Sequence, residues 1–192
     1  MAKKFRPAAK SKKASRLPAE ETLSGGLLRI FGVGTLIIGD SGIGKSESAL
    51  ELIARGHQFV SDDVVRVHRG PGGRVMGEAP ALTRNFMEIR GLGIINIREI
   101  FGARSIRRFS PLDLIIRLRK WEKGLELDRL GLKVPVDATV LGARVPQLLI
   151  PVAPGRNIAT LIEVACKVYL LRQKGYHAPR EIVRRLNRAL LS

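Results

Sequence analysis

The chain has little cysteine, few aromatic residues and no long apolar run. Cys166 is its only cysteine among 192 residues, so an internal disulfide and a cysteine metal cluster are both excluded. No apolar stretch approaches the roughly 20 residues that a membrane-spanning helix needs, and no hydrophobic region near the N-terminus resembles a secretory signal. With 45% apolar and 5% aromatic residues, the length suits one domain with a buried core. These absences predict a cytoplasmic protein without a membrane segment.

Acidic residues are also scarce. The chain has 34 Lys and Arg against 17 Asp and Glu, which gives a net charge of +17. Residues 1–23 are rich in Ala, Lys and Ser without apolar periodicity, and we predict a basic, disordered tail there, followed by one domain over residues 24–192. The positive charge is compatible with an anionic partner such as nucleic acid, or with an ordinary soluble surface. Net charge alone does not favour nucleic acid.

The most informative segment is a phosphate-binding loop of the form G-x-x-x-x-G-K-[ST]. An apolar run at residues 35–38 precedes it, and residues 47–55 follow with apolar side chains at helical spacing before Gly56. This strand–loop–helix context is the one that the motif requires. Its backbone N–H groups and helix N-terminus favour phosphate, the lysine reaches the β- and γ-phosphates, and the terminal hydroxyl ligates Mg²⁺. The predicted nucleotide-binding residues are Gly39, Asp40, Ser41, Gly42, Ile43, Gly44, Lys45 and Ser46.

Two adjacent carboxylates follow the next strand-like segment. Asp62 and Asp63 lie between residues 58–61 and the β-branched run 64–67. Neighbouring side chains alternate along an extended chain, so one carboxylate can hold Mg²⁺ while the other faces an incoming hydroxyl. Ser-Asp-Asp is also ordinary turn chemistry between strands. Together with the phosphate loop, the pair indicates a phosphoryl-transfer site.

These segments together resemble the catalytic domain of bacterial HPr kinase/phosphorylase. The similarity includes Phe-Gly-Val-Gly at 31–34, Arg-Gly-His at 55–57, and Pro-Gly-Arg-Asn at 154–157 before a helix. The run Glu-Ile-Arg-Gly-Leu-Gly-Ile-Ile-Asn-Ile at 88–97 is similar to that family's signature segment and makes the resemblance specific. It implies ATP- and Mg²⁺-dependent serine phosphorylation of HPr, a phosphocarrier protein of the sugar phosphotransferase system, and phosphate-dependent dephosphorylation. A homo-hexamer lacking the family's N-terminal domain is also implied.

The resemblance also implies roles for individual residues. Asp62 corresponds to the general base, and Asp63, Glu88 and Ser46 to metal ligands. Arg90 and Arg156 would face phosphate oxygens or the protein substrate, with Arg156 and Lys45 acting in catalysis beside Asp62. Two positions depart from the family: Ser24 replaces a histidine, so the proton carrier is missing there, and Ala153 stands where an arginine is common.

The remaining pattern completes the expected fold, an α/β domain with a phosphate-binding loop, a twisted mixed sheet and C-terminal helices. A hairpin is expected between 64–67 and 74–76, buried strands at 111–118 and 147–152, and helices at 158–174 and 179–191. The last helix is amphipathic; core packing is its commoner use and a subunit contact the alternative. Two alternative functions are compatible with the same phosphate-binding loop. The chain could be a small-molecule kinase, or a catalytically weak ATP-binding regulator whose basic surface binds nucleic acid.

Overall fold

A computed structural model of the chain describes residues 20–122 and 136–191. Sixteen elements matter for the architecture, twelve strands and four helices. The strands are β1 (Glu20–Ser24), β2 (Gly26–Ile30), β3 (Val33–Ile38), β4 (Gln58–Ser61), β5 (Val64–Arg69), β6 (Val75–Glu78), β7 (Phe86–Ile89), β8 (Gly93–Asn96), β9 (Phe109–Pro111), β10 (Leu114–Lys120), β11 (Asp137–Val140) and β12 (Ala143–Val152). The helices are α1 (Lys45–Ala54), α2 (Ile97–Phe101), α3 (Ile158–Gln173) and α4 (Ala178–Leu191).

A six-stranded mixed sheet forms the centre, in the order β11-β12-β10-β3-β2-β4. Strand β10 pairs in parallel with β3 and with β12, while β2 pairs antiparallel with β3 and with β4. A second, antiparallel sheet has the order β1-β5-β6-β9, and β7 and β8 form a separate hairpin. The predicted α/β fold with a mixed sheet and C-terminal helices is therefore confirmed.

The alternation of side chains in the central strands separates two hydrophobic cores. Leu28, Ile37 and Ile116 point to the face covered by α1 and α3, whereas their neighbours in the chain point to the other face. Those neighbours are Leu27, Leu36 and Ile115. They pack against the antiparallel sheet, so that helices, central sheet and second sheet form three layers.

The ends of the helices match the sequence signals. Helix α1 is followed by Arg55 and then Gly56, whose φ of 95° is the left-handed conformation expected after a helix. At α3, the side chain of Asn157 accepts a hydrogen bond from the backbone N–H of Thr160 at 2.8 Å and caps the first turn. The expected hairpin between residues 64–67 and 74–76 is present as β5 and β6. Both predicted buried strands are also present, within β9–β10 and in β12.

Two expectations need correction. Residues 20–23, assigned from composition to the basic tail, belong to β1, because they pair antiparallel with β5 from Glu20 to Ser24. The rest of the predicted tail lies outside the described residues. Helix α4 does not pack into the core: it has no buried residue, and its apolar side chains Ile182, Leu186 and Leu190 are 50%, 56% and 83% exposed. An amphipathic pattern indicates that one face of a helix is apolar, but it does not identify the surface that packs against that face.

Among residues 20–122 and 136–191, no helix combines the length and the apolar character needed to cross a bilayer.

The close contact of β3 with β9 generates a stability prediction. A Cβ atom at Gly34 would lie 1.6 Å from the carbonyl oxygen of Pro111, a backbone atom that cannot move aside freely. We expect Gly34→Ala to lower the free energy of unfolding by about 1–3 kcal/mol or more, the usual cost of overpacking. Urea unfolding followed by circular dichroism measures the change.

Gly26→Ala is the matched control, because a Cβ there meets its nearest atom at 3.5 Å, an ordinary contact. Its stability should change by less than about 1 kcal/mol. Equal losses for the two variants would contradict the assigned contact.

Candidate active site

The phosphate loop, residues 39–46, connects the end of β3 to the start of α1. Helix α1 begins at Lys45, and no side chain caps its N-terminus. The free N–H groups of the first turn and the positive end of the helix dipole therefore face the loop, as anion binding requires. The structure thus has the strand–loop–helix arrangement that the motif predicted.

Lys45 lies over its own loop. Its Nζ donates hydrogen bonds to the carbonyl oxygens of Gly39 at 2.9 Å and Asp40 at 3.0 Å. Both contacts hold the ammonium group at the mouth of the loop. A cation in this position is suited to phosphate oxygens.

Asp62 is a buried carboxylate beside the start of α1. It is 9% exposed, and its Oδ2 accepts a hydrogen bond from the hydroxyl of Ser46 at 3.2 Å. Burial raises the pKa of Asp62 to about 6, and the neighbouring charge of Asp63 adds to the rise; the Ser46 hydroxyl, the Asp63 backbone and Lys45 oppose it. A carboxylate with this pKa can accept a proton near neutral pH.

Asp63 and Glu88 line one small cavity with the phosphate loop. This phosphate cavity has a volume of about 160 Å³, and its lining residues are Ser41, Gly42, Gly44, Lys45, Ser46, Glu47, Asp63, Glu88 and Arg90. Asp63 reaches it from the turn between β4 and β5, where its φ of 59° is left-handed, a conformation that Asp tolerates better than most residues. Glu88 reaches it because Met87 and Ile89 are buried, which leaves the intervening side chain of β7 exposed.

Arg90 lies directly against the phosphate loop. A Cβ atom at Gly42 would be 3.2 Å from the Nη1 atom of Arg90, so the guanidinium group packs closely against the loop at this glycine. Because a planar guanidinium donates parallel hydrogen bonds, it can bind the oxygens of a phosphate held by the loop.

Two residues singled out from the sequence lie elsewhere. Arg156 is exposed, and its Nη1 donates to the carbonyl oxygen of Pro151 at 2.8 Å; it does not line the phosphate cavity. Ser24 lines a separate cavity of about 390 Å³, next to Gly39 and Asp40. Asp62 is not in the lining either, and it connects to the phosphate cavity through Ser46.

Glu47 lines the phosphate cavity but was not among the predicted site residues. The only signal was its position after the loop's Lys-Ser, and an acidic residue in a first helical turn has an ordinary structural explanation. The polar contacts between the α1 and α3 regions were not predicted either. Asn157 donates to Glu51 at 2.9 Å, and Arg55 to Glu163 at 2.6 Å. These contacts attach α3 and the residue before it to α1, the helix that begins in the phosphate loop, and to the residue after α1.

The oxygen ligands in the phosphate cavity suit Mg²⁺ better than a metal ion that is coordinated by protein side chains alone. Within residues 20–122 and 136–191, no three His, Cys, Asp or Glu side chains are grouped as a metal site. Mg²⁺ is usually held by one or two carboxylates together with phosphate oxygens and water. Asp63, Glu88 and the Ser46 hydroxyl, which line one cavity with the phosphate loop, meet that requirement.

The raised pKa of Asp62 predicts a pH-dependent cost to folding. The folded pKa of about 6 exceeds the unfolded value near 3.8, so the cost is absent below pH 4, grows between pH 4 and 6, and is complete above pH 6. Relative to the wild type, Asp62→Asn should therefore gain about 1–3 kcal/mol of stability between pH 4 and 7. Urea unfolding in EDTA at several pH values measures this change.

Asp137→Asn, in the exposed position that begins β11, is the control for the general effect of pH. A stability difference between Asp62→Asn and the wild type that stays constant from pH 4 to 7 would contradict the burial argument.

Comparison with known proteins identifies the family of the chain. Residues 15–186 match the family described as HPr Serine kinase C-terminal domain. HPr kinase/phosphorylase of Brevibacillus brevis is 42% identical over 177 residues, which cover 92% of this chain and 57% of that protein. The protein of the same name from Geobacter sulfurreducens is 46% identical over 171 residues, or 89% of this chain and 53% of that one. The chain thus spans just over half the length of these curated relatives.

A solved structure extends the comparison to the fold. The Hpr(Ser) kinase/phosphatase from Coxiella burnetii aligns with a TM-score of 0.74 and 36% identity, over 84% of this chain and 98% of that chain. The family match covers most of the chain, including every residue of the phosphate cavity. The chain belongs to the HPr serine kinase C-terminal domain family.

Proposed function

We propose that this chain transfers phosphate from ATP to a serine of HPr, and that it also catalyses the phosphate-dependent removal of that phosphate, as a regulator of carbohydrate metabolism. The observation that carries the proposal is one cavity in which the phosphate loop meets Asp63, Glu88 and Arg90, with Asp62 in contact through Ser46. The relatives named HPr kinase/phosphorylase and Hpr(Ser) kinase/phosphatase support the same substrate and both directions of reaction.

The residues have separate tasks in this mechanism. The serine oxygen of HPr attacks the γ-phosphorus, the bond from that phosphorus to ADP breaks, and Asp62 accepts the serine proton. Lys45 and Arg90 stabilise the charge that develops on the phosphate oxygens. Asp63, Glu88 and Ser46 would hold Mg²⁺, which neutralises charge on the phosphates when it is bound. Arg156, which is assigned by family resemblance, would contact the phosphate or HPr.

The decisive experiment is transfer of labelled phosphate from ATP to purified HPr. We expect Mg²⁺-dependent labelling of HPr on serine. Labelling of small molecules alone would favour the small-molecule kinase. If there is no labelling and the chain binds nucleic acid tightly in a salt-sensitive way, the ATP-binding regulator becomes the better explanation.

The same assay separates the carboxylates. Asp62→Asn should lower the transfer rate at least 100-fold while the affinity for Mg·ATP stays within a few-fold, because a base acts only in the transition state. Asp63→Asn and Glu88→Gln should also lose activity, but part of it should return at high Mg²⁺ because a ligand supports metal binding. Turnover and nucleotide affinity are measured over a Mg²⁺ titration.

Glu99→Gln is a matched control for the carboxylate-to-amide change, since Glu99 is exposed in α2 and does not line the phosphate cavity. Near-normal turnover of Asp62→Asn would refute its role as base.

We also propose that the domain acts in the cytoplasm as a homo-hexamer. The single cysteine supports the location. The exposed apolar side chains of α4 support association, because isolated domains rarely leave such a face uncovered. Light scattering should give a six-fold multiple of the 21.1 kDa chain mass.

Leu186→Lys should reduce the measured mass if the apolar face of α4 is part of the interface. Arg188→Gln, on the basic face of the same helix, should leave the mass unchanged. A wild-type mass equal to one chain would overturn the proposed assembly.

A further inference from the structure

A second, larger cavity lies on the opposite side of the phosphate loop. Its volume is about 510 Å³, within the range of small-molecule sites, and its lining residues are Asp40, Ser41, Gly42, Ile43, Lys120, Val152, Ala153 and Pro154. Ser41 and Gly42 line this cavity and the phosphate cavity alike. A ligand with its phosphates in the loop can therefore extend directly into the second cavity.

The strand order explains why both cavities adjoin the loop. Strands β3, β10 and β12 are parallel neighbours, and their carboxyl ends supply the loop, Lys120 and Val152. On the other side of β3, beyond the antiparallel strand β2, strand β4 leads to Asp62 and Asp63. In open α/β sheets, ligands bind outside the carboxyl ends of parallel strands. The groups for phosphoryl transfer thus lie on one side of the loop and the larger cavity on the other.

The walls of the second cavity are mainly apolar. Ile43 comes from the loop, and the segment 152–154 supplies Val152, Ala153 and Pro154. The one basic side chain is Lys120, an exposed residue at the end of β10. Such walls suit the flat face of an aromatic ring, while an ammonium group, which only donates hydrogen bonds, suits hydroxyl or ring acceptors.

We propose that this cavity holds the nucleoside of the nucleotide, with the base between Ile43 and residues 152–154 and the ribose near Lys120. The inference rests on the proposed function, since it takes the phosphates of ATP to occupy the loop. It assigns residues outside the phosphate-loop motif to nucleotide affinity.

The segment 151–154 has few free backbone hydrogen-bonding groups that could recognise the polar edge of the base. The carbonyl oxygens of Pro151 and Ala153 both accept hydrogen bonds from Arg156, and that of Val152 accepts one from the backbone N–H of Trp121 at 2.8 Å. Pro154 has no N–H group. The polar lining residues Asp40 and Ser41 belong to the phosphate loop and not to the segment 152–154, against which the base is placed. Because strong discrimination needs buried polar groups that pair with one base and not another, ATP and GTP should bind with affinities within about tenfold.

The test compares ATP with inorganic tripolyphosphate, which has the phosphates but no nucleoside. Calorimetric titration of the full chain in Mg²⁺ should give at least tenfold tighter binding of ATP. Ala153→Trp, which fills the cavity, should weaken ATP binding at least tenfold and change tripolyphosphate binding less than about threefold. Val152→Phe, a smaller filling change, should act in the same direction, and thermal melting checks that both variants fold.

Ala178→Trp is the matched control, because Ala178 is exposed at the start of α4 and does not line the second cavity. Its affinities for ATP and for tripolyphosphate should both match those of the wild type.

Equal binding of ATP and tripolyphosphate to the wild type would overturn the inference. So would unchanged ATP affinity, or equal losses for both ligands, in the two filling variants. A preference of ATP over GTP far above tenfold would overturn the argument about the wall. If neither ligand binds the wild type, the proposed function fails and the inference fails with it.

Discussion

The position of β3 in the central sheet is the constraint on which the site depends. It pairs in parallel with β10 and antiparallel with β2, and β2 pairs antiparallel with β4. Two reversals make β4 run in the same direction as β3. The residue pairs Gly26 with Ile37 and Leu27 with Ser61 bring the end of β4 to the same edge as the end of β3. The phosphate loop and the Asp62–Asp63 pair meet at one edge for this reason, although they are separated along the chain.

This arrangement has an electrostatic consequence. The turn after β4 buries Asp62 beside Ser46 and next to the carboxylate of Asp63. Burial and the charge of Asp63 both raise the pKa of Asp62. A fold selected only for stability would place a neutral residue there, since a buried charge lacks an adequate counter-ion. Perturbed pKa values of this kind cluster at functional sites, and the raised pKa of Asp62 is therefore an argument for the proposed site.

The sequence was informative where local chemistry decides the structure. The phosphate loop needs particular residues at each fixed position, and the hairpin and helix ends follow glycine and capping rules, so these could be predicted. Contacts between distant segments could not. Nothing local indicates that Ser46, expected to be a metal ligand, donates to Asp62, or that Arg156 binds the carbonyl of Pro151. Likewise, β1 is defined by its pairing with β5 and not by its composition.

Hydrogen bonds connect the segment that lines the second cavity to α1, the helix that begins in the phosphate loop. The segment 152–157 lines the second cavity at its start and caps α3 with Asn157, which also donates to Glu51 of α1. Glu163 of α3 also accepts a hydrogen bond from Arg55, the residue after α1, and its carboxylate lies 2.8 Å from the His57 Nε2 atom. A shift of residues 152–154 on ligand binding would therefore act on α1, the helix that begins in the phosphate loop. Since packed helices transmit displacement and do not absorb it, occupation of the second cavity and alignment of the phosphate loop should be coupled.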